Sequence, residues 1–496
     1  MSRTLSSNAV ANIVQAVAGA GLLFALYRYI NAALGVEQLG IWSVVLATAS
    51  ASRLADMGLS AGVTRFVARD RARGDPARAG QVVDTVVLTL AVLVGAMLPL
   101  LHPLIAGLLP RLFDAEHLAG ALEILPYALI SLWLTMVATV FQGGLDGCQR
   151  MDLRAGLVVM GQVALLVLAV ALVPRLGLIG LAWAQIGQGV LLVVVGRLLL
   201  CHALPTMPRL PRQWHRPVLR EMLGYGVNVQ AATIFMLLLD PVAKVFMAWF
   251  GGAAAAGYFE MANQVVVKVR ALIVNANQAI VPHVAVLAET EPSRLAGIYR
   301  DNTRVLVLFT FPAFALLIAW AGGFSWLLAG AYQPEFVFLL TLLSMGWGAN
   351  VFTGPAYFTN LGTGQVRWNT LSNVLMGMVN TGLSWLLGSR YGAQGVACAY
   401  VIAIVTGSAV LVGAYRHSNR LRWEVGLAHE HLPLVIVSLL VAVLGWLAPL
   451  QKTTGEPVLL LLGLLLPPLA LSASVWLHPL RRQLLASLLP RRKVRV

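Results

Sequence analysis

Charge is what this sequence has least of. Only 11% of its 496 residues are Asp, Glu, Lys or Arg, where a soluble protein of that length carries roughly a quarter. Lysine is nearly missing, with four residues against 31 arginines, a bias that reads as compositional background. The three cysteines, Cys148, Cys201 and Cys398, are isolated, so neither a disulfide framework nor a CxxC metal knuckle is available. No lysine follows a glycine, which removes the Walker phosphate loop and ATP consumption by this chain. No arrangement of nucleophile and base stands out, and the pattern points away from an enzyme and away from any cofactor. His429-Glu-His431 is a lone HxH between apolar segments, and such a fragment is more often incidental than metal-binding. The glycine-rich turns at Gly143–Gly147 and Gly362–Gly364 follow no strand, so they read as tight turns.

What is present is apolar residue in long blocks. Hydrophobic residues make up 59% of the chain, mean hydropathy is +0.80, and stretches such as Val82 to Leu109 and Val458 to Leu477 are almost unbroken. Blocks of about 20 apolar residues suit a bilayer-spanning helix. Lipid leaves a helix as the way for such a segment to satisfy its own backbone. The expected fold class is therefore an all-α polytopic membrane protein. Fourteen spans are predicted: 8–34, 39–65, 80–107, 119–144, 154–175, 178–203, 223–250, 254–286, 300–330, 336–362, 369–388, 394–417, 432–450 and 456–477. Asn8, Asn12 and Gln15 interrupt the first apolar run and no small-residue cleavage site follows, so it reads as a retained helix.

The net charge of +15 is of the sign that suits nucleic acid, but its placement points to membrane topology. Under strict alternation, 26 of the 35 Lys and Arg residues fall on one side and four (Arg111, Arg175, Arg390, Lys452) on the other. The remaining five lie inside spans. Basic residues gather on the cytoplasmic side of inner-membrane proteins, which places both termini in the cytoplasm. No outer connection is long enough to form an extramembrane platform.

The two halves align at an offset of 217 residues. Gly35 and Gly40 fall on Gly252 and Gly257, Trp42 on Phe259, Arg53 on Arg270, and Gly147 and Arg150 on Gly364 and Arg367. The turn from Leu176 to Ala182 resembles Tyr391 to Ala397, with the offset slipped to 215. Six helices separate equivalent points, so the repeat is parallel, and transporters so built bind substrate between their halves. The expected domains are an N-lobe (1–205), a cytoplasmic linker (206–222), a C-lobe (223–418), two added helices (432–478) and a basic, Leu-spaced tail (479–496) that is either a surface helix or a simple topogenic end.

Eight ionisable residues lie well inside the spans: Arg28, Arg53, Asp56, Asp240, Lys244, Glu260, Lys268 and Arg270. All fall in the first two spans of each half. Intramembrane charge costs several kcal/mol unless it meets water or a partner, so one hydrated cavity shared by these four helices is expected. Five positive and three negative side chains give it a net +2 and a preference for anions. The span 254–286 shows the geometry, with Glu260, Gln264, Lys268, Asn275 and Gln278 on one face. Asn12 and Gln15 in the first span, and Asn350 and Tyr357 in the tenth, add polar groups that suit sugar hydroxyls or simply bond between helices. Simpler readings stand beside these. Arg28 lies near an interface and could snorkel. Asp240 and Lys244 at i,i+4, like Arg53 and Asp56 at i,i+3, could neutralise each other. Asp56, Asp240 and Glu260 are the carboxylates open to proton or sodium coupling.

The stretches Leu34–Trp42, Leu54–Ser60 and Arg65–Ala68, with Gly147-Cys-Gln-Arg-Met-Asp152, resemble bacterial polysaccharide-lipid exporters, the Wzx-type flippases of the multidrug/oligosaccharidyl-lipid/polysaccharide superfamily. The similarity spans roughly residues 5 to 418. It implies two alternating lobes, a cationic cavity for an undecaprenyl-diphosphate-linked glycan, membrane lipid around the polyprenyl tail, and contact with polysaccharide assembly machinery. By position Arg53 and Arg270 would hold the cargo, with Arg28, Lys244 and Lys268 as weaker candidates. A drug/cation antiporter or lipid II-type flippase of the same superfamily, and a membrane enzyme or scaffold, are the rival readings.

Overall fold

The computed structural model describes residues 2–208, 210–212, 214–224, 238–278, 280–421, 429–447 and 457–481. Among them all regular structure is helical. The first repeat contains α1 (Ser2–Leu34), α2 (Val36–Ala49), α3 (Leu59–Ala72), α4 (Pro76–Leu108), α5 (Ala115–Gly147) and α6 (Met151–Ala203). Residues 216–224 are also helical. The second repeat contains α7 (Asp240–Gln278), α8 (Val281–Thr290), α9 (Leu295–Ala319), α10 (Ala321–Ala329), α11 (Pro334–Val351), α12 (Gly354–Thr363) and α13 (Arg367–Ser418). Then follow α14 (Leu432–Leu447) and α15 (Pro457–Leu477). The tail beyond residue 481, most of the first half of span 223–250, and the side chains of Asn8 and Asn12 lie outside the described residues.

Eight described helices are long and apolar enough to cross a bilayer, or nine when the bent pair α11 and α12 counts as one span. Every span drawn from the sequence overlaps described helix. Two of the longest helices fold back on themselves. α6 turns at Gly177 (φ 58°, ψ −133°) and α13 at Gly392 (φ 60°, ψ −144°), a backbone region that is essentially glycine's alone. Beyond the α6 turn, Gly161 abuts Leu192 and Gly196 abuts Leu157, so the two arms run antiparallel. The 215-residue offset thus relates two turns with nearly the same dihedral angles. Gly35 (φ 86°) and Gly252 (φ 79°) do the same at offset 217.

The chain forms two compact units, one of Met1–Met261 with Gly377–Tyr400, the other of Ala262–Met376 with Val401–Val496. The unit boundary does not follow the repeat boundary: the first part of α7 and the turn of α13 belong to the first unit. That unit's core is β-branched and small, with Val63 and Val67 of α3 against Val83 and Val87 of α4 and Val140 and Phe141 of α5. Lipid tails are as apolar as these side chains, so close van der Waals fit, more than water exclusion, holds such helices together. Asp75 caps α4 by accepting from the Arg78 amide at 2.9 Å, and Pro76 occupies its first turn. Arg197, 6% exposed, joins α6 to α4 through Asp84 (2.6 Å, 1% exposed) and also donates to the Pro208 carbonyl. Outside the spans, Arg69 and Arg78 clasp Glu221 at 2.5 and 3.0 Å, and Arg69 holds that carboxyl below the usual carboxylate range. In the second unit, α9 carries α14 and α15 through Val307, Leu308, Leu434 and Val435, and farther along through Ala315, Ala442 and Leu471.

Candidate functional site

The span 39–65 is not one helix. α2 gives way to a 3-10 turn over Ser50–Asp56, and α3 starts only at Leu59. Met57 (φ 49°) and Gly58 (φ 71°) are both left-handed, and a right-handed helix cannot continue through them. Asp56 sits at the break and accepts from the Ser60 amide (3.1 Å) and hydroxyl (2.7 Å), a capping role at the start of α3. Arg53 lies on the turn with its side chain exposed. Its position is therefore on the break of a discontinuous helix and not within a straight run. α11 and α12 likewise meet at a 40° bend beside Asn350 and Thr353. Discontinuous helices leave backbone groups and side chains facing a cavity where a continuous helix would bury them.

Three of the ionisable residues come together in the first unit. Lys244 bridges Glu260 at 2.7 Å and Asp240 at 2.9 Å. Glu260 is 6% exposed; the Tyr27 hydroxyl donates to its Oε1 at 2.7 Å and the Ser43 hydroxyl to its Oε2 at 3.3 Å. A carboxylate this buried is tolerated because both oxygens are bonded and a cation is in contact. Lys244 is thereby occupied by acids, which weakens its claim as a cargo ligand. Tyr27 and Ser43 were not singled out from the sequence. One signal could have found Ser43: it stands 217 positions before Glu260, the repeat offset itself.

The same offset recurs in the adjoining backbone. A Cβ on Gly40 would overlap the carbonyl oxygen of Ala253, and a Cβ on Gly257 would overlap that of Val36. Val36 pairs with Ala253, and Gly40 with Gly257, at 217 residues. Within this unit, then, α2 and α7 pack backbone to backbone at equivalent positions of the two repeats, and glycine is required on both sides of the seam.

The second unit holds Arg270. Its Nε and Nη2 donate to Asn350 Oδ1 at 3.1 and 2.8 Å, and its guanidinium lies 4.5 Å from the Trp347 ring centroid. Asn350 in turn donates to Ser408 at 2.8 Å, and Trp347 to Asn263 at 3.3 Å. Arg270 is thus oriented by an amide and an aromatic face. Trp347 and Ser408 are further residues the sequence did not mark. Lys268 is half-buried and Gln264 lies one turn before it on α7. Asn275 is exposed. Tyr357 packs with Tyr299, Ala356 and Tyr415, and its carbonyl accepts from Asn369 at 3.0 Å. For Tyr357 the interhelical reading fits the contacts better than a cargo role. In the first unit, Arg28 is exposed and Gln15 half-buried.

Residues 5–287 match the family described as "Polysaccharide biosynthesis protein". Among solved structures, the lipid II flippase MurJ in an inward closed conformation is similar at 12% identity and a TM-score of 0.70, over 96% of this chain and 99% of that one. A MATE-family multidrug resistance transporter of the MOP superfamily, inward-facing, matches at 15% identity and a TM-score of 0.64, over 83% of this chain and 96% of that one. A MOP superfamily transporter from Pyrococcus furiosus, whose binding pocket is described as of reverse polarity, matches at 16% identity and a TM-score of 0.52, over 84% and 92%. No curated protein matches the chain. The family match covers more than half of the sequence, and the fold is shared with MATE and MurJ transporters over most of its length. The chain is a multi-pass membrane protein that belongs to the polysaccharide biosynthesis protein family.

Proposed function

We propose that the protein moves a polyprenyl-diphosphate-linked oligosaccharide, the repeat unit of a surface polysaccharide, from the cytoplasmic to the outer leaflet of the bacterial inner membrane. The observation that carries this reading is that Arg28, Arg53 and Lys268, all inside apolar spans, have no ion pair among the described residues. An intramembrane cation left without an acid is a candidate site for something anionic. Arg270, held in place by Asn350 and Trp347, adds a further guanidinium. A diphosphate offers several oxygens to such groups, and charge-assisted bonds to phosphate strengthen where water is scarce. The polyprenyl tail stays in lipid while the headgroup crosses.

Alternating access would require the Gly40–Gly257 seam to part, and with it the bonds that Glu260 makes to Tyr27 and Ser43. A proton or sodium ion arriving at Glu260 could replace Lys244 there, which makes Glu260, with Asp240, the favoured coupling site over Asp56, whose oxygen is committed to capping α3. The membrane potential supplies about 2.3 kcal/mol per charge per 100 mV.

Proteoliposomes loaded on one side with a fluorescent short-chain polyprenyl-diphosphate oligosaccharide test the assignment. Arg53→Ala and Lys268→Ala should each slow transfer at least about tenfold, the loss of roughly one charge-assisted bond, while insertion is unchanged. Wild-type rates in both variants would refute the anionic-cargo reading. Efflux of cationic dyes without glycan transfer would instead favour a drug/cation antiporter.

A further inference from the structure

The His429-Glu-His431 fragment has a different use from metal binding. His431, at the start of α14, is fully buried, and its ring stacks on that of His478, 4% exposed, just past the end of α15. The centroids are 4.8 Å apart with planes at 19°, and His478 Nε2 lies 2.9 Å from His431 Nδ1. The Leu480 amide donates to His478 Nδ1 at 3.2 Å.

These contacts fix the protons. An Nδ1 that accepts from Leu480 bears no hydrogen, so neutral His478 carries its proton on Nε2 and donates it to His431 Nδ1. His431 then carries its own on Nε2, 3.6 Å from Glu430 Oε1. Both rings are neutral. The two nitrogens that could take a further proton are the two acceptors, so any added proton breaks either the ring–ring bond or the Leu480 bond. We propose that this pair is an acid-sensitive latch, joining the end of α15 to the start of α14 and holding both against α9 until one imidazole is protonated.

The charged surroundings favour the neutral state. Glu430 faces the pair, but its carboxylate is held by Arg304 of α9 through Nε and Nη2. Arg481, beyond α15, stacks its guanidinium on Trp476 at 4.1 Å and adds positive charge on that side. His429 is exposed and faces solvent. Burial pushes His478 below the ordinary imidazole range; Glu430 opposes this and Arg304 adds to it. A histidine with a depressed folded pKa contributes stability that is complete above its unfolded value, near 6.5, and is lost as pH falls through the folded value. The latch is therefore closed at neutral pH and opens on acidification. It makes no use of the proposed cargo, so its failure and the failure of that reading are separable.

Hydrogen–deuterium exchange of the full-length protein in detergent, corrected for intrinsic pH effects, reads the latch directly in the peptide covering residues 470–481. Between pH 8 and pH 5.5 wild-type protection there should fall at least about tenfold, one pH unit's worth of linkage from a single site. In His431→Gln/His478→Asn the step should vanish, whereas Glu430→Gln should keep it. No pH step in the wild type would overturn the proposal. So would a step that survives in the double variant or disappears in Glu430→Gln alone.

Discussion

Removing Lys244 leaves Glu260 with a charge at a site only 6% exposed and takes away the cation in contact with it. Breaking a buried pair by deleting one partner typically costs about 3–5 kcal/mol, while replacing both can be nearly neutral. Lys244→Met should therefore lower the melting temperature in detergent sharply. Lys244→Met/Glu260→Gln should recover most of the loss, because Gln still accepts from Tyr27. If the pair also couples transport to an ion gradient, the double variant will be stable yet insensitive to that gradient in proteoliposomes. These residues show how far sequence carried the site. Charge type and span membership exposed Lys244, Glu260 and Arg270, since an ionisable group is conspicuous against an apolar helix. Their partners Tyr27, Trp347 and Ser408 were invisible, because neutral polar and aromatic residues occur throughout such helices and only three-dimensional contact selects among them; Ser43 was marked by nothing but the repeat offset.

The elements most legible in the sequence were the long apolar helices, whose length is set by the bilayer. Least legible were the breaks within them. Nothing in the composition of 39–65 announces a 3-10 turn; the break is made by Met57 and Gly58 in left-handed conformation, and a methionine gives no warning of that. The turns at Gly177 and Gly392 are the opposite case, since both fall in a repeated glycine-containing motif. Gly177→Ala should cost about 1–3 kcal/mol, because an L side chain is excluded from φ 58°, ψ −133°. Detergent melting would register it, and Gly156→Ala, at an open position on the first arm of α6, serves as the control. The α2–α7 seam makes a sharper demand. Gly40→Val should prevent the two backbones from meeting, so that glycan transfer is lost although the protein still inserts. A cysteine at Tyr27 should then react faster with a small thiol reagent than in the Gly40 parent, and equal rates would show that the seam does not need glycine.

At the scale of the molecule, the 26-to-4 division of basic residues makes a topological prediction. In whole cells an impermeant maleimide should label a cysteine placed at Arg390 and leave one at Arg420 untouched; the reverse pattern would invert the orientation. The fold class and the duplication were both readable, because membrane insertion and repeat spacing leave their mark along the chain. The two compact units were not, since they cut across the repeats: a boundary inside α7 and another inside α13 depend on which helix ends touch, and no linear pattern records that. One further consequence belongs to the positions that meet their own counterparts. In an ancestor made of two identical chains, the place now shared by Ser43 and Glu260 would have confronted each residue with its twin, so a glutamate there would have faced a glutamate. Two repeats joined in one polypeptide carry no such constraint, because their equivalent positions can differ. An acid on one repeat, Glu260, can therefore face a hydroxyl on the other, Ser43, at a place where a strict dimer would set acid against acid.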